Sequence, residues 1–95
     1  MKYLHRVFTA KKGTRVVVHF SEPTRVMLLS DMEYKNYKEH STYRYRGGDL
    51  VESPHEFEIP SDGTWHVVIE KGGYFNPRPV TGSVEVIAKD KGVTA

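Results

Sequence analysis

The stretch VMLL at residues 26–29 is apolar at every position. A strand with one wet face would alternate, so this run predicts a β-strand covered on both sides, at the centre of the core. Upstream, residues 3–8 and 14–20 are rich in β-branched and aromatic side chains and are separated by Lys12-Gly13, a pattern that predicts a hairpin. In the second of these segments Val16, Val18 and Phe20 share one face, with Arg15, Val17 and His19 on the other.

Downstream of VMLL, residues 30–40 read SDMEYKNYKEH, the one stretch with helical character. Ser30 is placed to cap the first turn while Glu33 reaches back to the Ser30 amide, and Asp31 suits the positive end of the helix dipole. Asp31 and Lys35 have the spacing of a supporting ion pair. Tyr34 and Tyr37 fall on one side of this helix, as expected of a face that packs on a sheet.

The next segment, YRYRGG at residues 43–48, reads as a strand stopped by Gly47-Gly48, with Tyr43 and Tyr45 inward and Arg44 and Arg46 outward. Ser53-Pro54, residues 60–63 (PSDG) and Gly72-Gly73 are turn signals. Between them His55, Phe57 and Ile59 share a face, and Trp65, Val67 and Ile69 oppose His66, Val68 and Glu70. A last strand over residues 83–87 completes the pattern. These elements predict an all-β fold, a small antiparallel sandwich with one short helix inserted. One domain over residues 1–88 and a flexible tail at 89–95 are expected.

The chain has 95 residues, 38% of them hydrophobic and 27% charged, which is the composition of one folded domain with a modest core. It has no cysteine, so disulfides, thiolate metal sites and a cysteine nucleophile are excluded together. No apolar run approaches the length of a membrane span or a signal-peptide core, so no membrane partner and a cytoplasmic location are expected. Net charge is +2, but residues 1–15 carry Lys2, Arg6, Lys11, Lys12 and Arg15 without an acid, while Asp49, Glu52, Glu56, Glu58 and Asp62 form an acidic segment. A fold that separates these segments would be electrostatically polarised, which steers charged partners or favours a homo-oligomer.

The motifs MKYLH, VMLL, NYK, YRYRGG, Ser53-Pro54 and GTWHVVI followed by GGY together resemble a bacterial domain of unknown function, the family numbered 1883, from Met1 to about Ile87. The resemblance implies a small all-β sandwich related to the β-prism shape. It also implies a role in bacterial signalling or defence, since some members stand alone and others resemble an N-terminal module joined to a signalling domain of the Toll/interleukin-receptor type. No activity or ligand comes with it. The chain departs from the family pattern at Glu39-His40-Ser41, where a glycine and a basic residue are common, and in a longer loop over residues 75–81.

Neither a phosphate-cradling GxxxxGK loop nor a GxGxxG fingerprint is present, and no nucleophile is placed beside a base. Five histidines invite a metal or general-base reading, yet none is spaced for a local pair, and His5 and His66 meet only if their strands are neighbours. No metal and no cofactor are therefore expected. The reading favoured by the residues is a non-catalytic recognition module for a small anionic ligand or a protein partner. Its candidate contacts are Tyr34, Tyr37, Lys38, Arg44, Arg46, His66 and Arg78, the last in a proline-rich loop over residues 74–79. Single-stranded nucleic acid is the alternative, because tyrosines, arginines and lysines interleave over residues 34–46. A small hydrolase using His66 is a third reading.

Overall fold

The computed structural model describes residues 2–73 and 76–88. The expected tail at 89–95, together with Tyr74 and Phe75 of the proline-rich loop, lies outside the described residues. Seven strands and one helix follow in order: β1 (Tyr3–Ala10), β2 (Arg15–Phe20), β3 (Thr24–Ser30), α1 (Asp31–Lys38), β4 (Arg46–Leu50), β5 (His55–Glu58), β6 (Gly63–Glu70) and β7 (Gly82–Ile87). They form a sandwich of a four-stranded sheet, β1-β6-β3-β4, on a three-stranded sheet, β5-β2-β7, with every pairing antiparallel.

The all-apolar stretch sits where its composition requires. β3 lies inside the four-stranded sheet, and Val26 and Leu28 face the other sheet in a core with Val16, Val18, Phe57, Ile59, Val67 and Ile69. Met27 and Leu29 face the opposite way, into a second cluster with Val68 and Tyr34 under α1. Each side chain removed from water in this way contributes about 1.5–3 kcal/mol of transfer free energy, which is why both faces of β3 are apolar.

The expected hairpin between the first two strands does not form. β1 pairs with β6, whereas β2 pairs with β5 and β7, so the Lys12-Gly13 turn carries the chain from one sheet to the other. The arch is held by backbone bonds from Gly13 N–H to Ile59 O (2.8 Å) and from Ile59 N–H to Thr14 O (2.8 Å). Packing across the sandwich decides the matter: Ala10 and Val16 meet in the core between the sheets, which a flat hairpin would prevent.

YRYRGG also folds differently from its alternation. The strand starts at Arg46 and runs through Gly47-Gly48, which pair with Met27 and Val26. Gly47 has φ +108°, and a Cβ there would lie 2.2 Å from the Val26 carbonyl oxygen, so glycine lets β4 approach β3 rather than ending it. Residues 41–45 precede the strand, and Tyr45 is 40% exposed instead of buried.

Ser30 caps α1 as expected, its Oγ accepting from Glu33 N–H at 3.3 Å. Both acids lie in the first turn, as the dipole favours, but their side chains find partners other than the expected ones. Glu33 Oε2 accepts the Arg44 backbone N–H, fixing the segment before β4, and Asp31 pairs with His66 rather than with Lys35. The helix ends at Lys38 with Glu39 as its C-cap, and the next residue, His40, has a φ of 60°, the left-handed conformation that glycine adopts more easily.

Candidate functional site

Two groups of polar side chains stand out, one beneath α1 and one beside it. The first grows from register. His5 on β1 is opposite Val68 and Val7 is opposite His66, so the two histidines are diagonal neighbours on the face that α1 covers. His5 Nε2 and His66 Nδ1 are 2.8 Å apart, and the rings are nearly coplanar at 8°. Tyr34 from α1 lies flat over both, with ring centroids 4.1 Å from His5 and 4.3 Å from His66.

The proton positions follow from the partners. The Asp31 carboxylate only accepts, so His66 Nε2–H donates to Asp31 Oδ1 at 2.8 Å. His66 Nδ1 is then an acceptor, and His5 Nε2–H donates to it. His5 Nδ1 is left facing the Tyr34 hydroxyl at 3.3 Å, and that hydroxyl is 3.1 Å from the Tyr3 hydroxyl. Partial burial of the ring beneath Tyr34, in a residue that otherwise stays exposed, and then the nearby charges of His66 and Lys38 hold the His5 pKa below its ordinary value of 6.5. Burial and the bond to Tyr3 push the Tyr34 hydroxyl up to about 12.

Further along the same face, Tyr37 O–H donates to Glu70 Oε2 at 2.8 Å, and burial with this bond raises its pKa. Tyr37 also packs edge-on against Tyr3 (5.4 Å) and Tyr43 (5.3 Å). Lys38 sits 5.1 Å from the Tyr34 ring centroid, where its cation meets the π face. The consequence is a clamp: Asp31, Tyr34 and Tyr37 hold α1 to β1 and β6. His66 is 5% exposed with both ring nitrogens engaged, so it presents none to a substrate. Among the described residues no group of three or more His, Cys, Asp or Glu side chains can hold a metal ion.

The second group is open to solvent. A shallow concavity of about 330 Å³ lies where β3 runs into α1, lined by Ser30, Glu33, Arg44, Tyr45, Arg46 and Trp65 together with Leu28. Its floor is fixed, since Trp65 Nε1–H donates to Ser61 O at 2.9 Å and Glu33 holds the Arg44 amide. The two guanidinium groups have no ion pair or hydrogen bond among the described residues. By contrast Arg15 pairs with Glu56 (3.2 Å), Arg25 with Asp49 (3.4 Å) and Arg78 with Glu22 (3.3 Å), while Arg6 donates to Val84 O (3.3 Å).

The fold thus gathers Arg44 and Arg46 and separates them from the other expected contacts. Tyr34, Tyr37 and His66 are under the helix, Lys38 covers Tyr34, and Arg78 lines a different concavity with Arg25, Asp49 and Glu70. His5 and His66, expected to meet only if their strands are neighbours, are brought together by the β1–β6 pairing. Tyr3, Asp31 and Glu70 join this group only through the packing of α1 on β1 and β6, which no local pattern in the sequence signals. Tyr45, expected inside, is exposed, and Trp65, absent from the expected contacts, lines the concavity.

No curated protein and no solved structure matches the chain. Residues 1–89 match the family described as Domain of unknown function (DUF1883), and with nearly the whole length covered the chain belongs to that family.

Proposed function

We propose that the protein is a non-catalytic recognition module that binds a small anionic ligand on the Arg44–Arg46 surface. The observation that carries this reading is a pair of guanidinium groups without a partner among the described residues, on one concavity beside two aromatic rings, in a molecule whose other arginines are engaged. Guanidinium forks bind phosphate or carboxylate through paired charge-assisted hydrogen bonds. Tyr45, 40% exposed, offers a face for a planar group attached to the anion. The fitting ligand class is therefore a monophosphate or carboxylate carrying a flat ring. The family resemblance supports the setting, a bacterial signalling or defence protein.

Exposure of Tyr45 next to two arginines also supports a second reading, single-stranded nucleic acid, in which successive bases stack while the backbone meets the cations. Calorimetric titration at low salt separates the two. Adenosine monophosphate should bind to the wild type, inorganic phosphate more weakly, and the Arg44→Ala/Arg46→Ala variant not measurably. A short oligothymidylate that binds more tightly than the monophosphate, with an affinity that falls steeply as salt is raised, would select the nucleic-acid reading. Absence of binding to any of the three at low salt overturns both.

A further inference from the structure

The edge of the four-stranded sheet at β1 is unlike the other edges. β4 contains Gly47 and Gly48 at φ +108° and +140°, and β5 is four residues long between Pro54 and Pro60. β7 begins at Gly82, where a Cβ would meet the His19 carbonyl oxygen at 2.6 Å. Such irregularities protect edges from unwanted pairing. β1 instead runs for eight residues without proline, glycine or bulge, in unbroken register with β6 from Tyr3–Glu70 to Ala10–Gly63. Its other side has no strand partner among the described residues.

Beside this edge the sandwich is open. Leu4, Val67, Ile69 and Val84 line a cavity of about 250 Å³ at the seam between β1 and β7, with Arg6 at its mouth. Leu4, Arg6 and Phe8 share the seam side of β1, and Arg6 Nη1–H donates across the opening to Val84 O at 3.3 Å. A strand added next to β1 would send every second side chain into this seam.

We propose that the β1 edge binds an extended acidic peptide by strand addition, with one aliphatic side chain of the peptide in the cavity beside Leu4 and a carboxylate two residues away on Arg6. Backbone hydrogen bonds to the open edge supply the register, and the seam supplies the selection. The charge argues for an acidic partner: Lys2, Arg6, Lys11 and Lys12 lie on or beside this edge with no acid among residues 1–15. The same charges argue against a second copy, because pairing β1 with itself sets cations against cations. This surface is separate from the Arg44–Arg46 concavity and does not depend on it.

The test is a nuclear magnetic resonance titration of the full chain with a blocked peptide in which threonine alternates with glutamate and leucine. Saturable shifts are expected in the β1 amides and in the methyl groups of Leu4, Val67, Ile69 and Val84. Arg6→Glu, at an exposed position, should weaken binding about tenfold, the effect of turning an opposite-charge cross-strand pair into a like-charge one. Val84→Phe, which fills the cavity, should weaken it independently. Equal binding by a lysine-for-glutamate peptide, shifts confined to β4 or β5, absence of saturable shifts, or occupation of β1 by a second copy of the chain would each overturn the proposal.

Discussion

His5 is the residue at which geometry and titration meet. Its Nε2–H completes the chain that ends on Asp31, and its ring lies under Tyr34, so the folded protein is built for a neutral His5. Protonation is resisted by the partial burial of the ring and by the charges of His66 and Lys38; Asp31, Tyr34 and Tyr3 are the other titratable groups against the pair. The sign follows from the lowered pKa. Below 6.5 the unfolded chain takes up a proton that the folded chain takes up less readily, so this contribution to stability is complete above 6.5 and is lost as the pH falls. Urea unfolding followed across this range should show the midpoint falling with acid in the wild type. In His5→Gln, whose amide still donates to His66, the fall should be shallower. An identical slope in the two proteins would show that His5 does not carry the effect.

At the scale of elements, β4 shows what alternation misses. Tyr-Arg-Tyr-Arg followed by two glycines has the pattern of a strand and its stop, but the contact that matters is tertiary: Gly47 lies against the Val26 carbonyl, a fact that depends on β3 being its neighbour. The glycine pair separates the two physical effects. Gly48 has a left-handed φ of +140° and nothing within 4 Å of a Cβ, so Gly48→Ala should cost about 1–2 kcal/mol of backbone strain alone. Gly47→Ala adds a collision with main chain and should cost more than about 4 kcal/mol or prevent folding. Chemical denaturation of the two variants checks the order; equal losses would mean that β4 moves freely off β3. The elements themselves were largely legible in the sequence, because each rests on local signals: the double-sided run of β3, the Ser30 cap, and the alternating faces of β2, β5 and β6. The β1–β2 hairpin was misread because a turn residue fixes a reversal of direction and leaves open which sheet the chain enters.

For the molecule as a whole, the charge separation along the sequence carries into the fold only in part: Arg15 of the basic segment pairs with Glu56 of the acidic one and Asp62 accepts the Lys12 backbone N–H, while the sheet edges keep the rest apart. Arg6 lies on β1 at one edge of the four-stranded sheet and Asp49 on β4 at the other, with Glu56 and Glu58 on β5. Between these poles sit the Arg44–Arg46 concavity and the clamped helix that fixes its floor. Arg44 and Arg46 were legible as a basic pair, but their company was not. Trp65 and Glu33 join them through the β3–β6 pairing and the start of α1, at sequence distances that no local period spans. The same limit left the histidine pair conditional in the sequence: His5 and His66 stand 61 positions apart, and only the β1–β6 pairing makes them neighbours.

On the proposed function, this concavity is where the protein meets its ligand. Nuclear magnetic resonance titration with adenosine monophosphate at low salt tests it most directly, because it reads location as well as affinity. Saturable shifts should concentrate on Arg44, Tyr45, Arg46 and the Trp65 indole and vanish in the Arg44→Ala/Arg46→Ala variant. Saturable shifts that spare these residues, or that persist in the folded double variant, would rule out the concavity as the binding site.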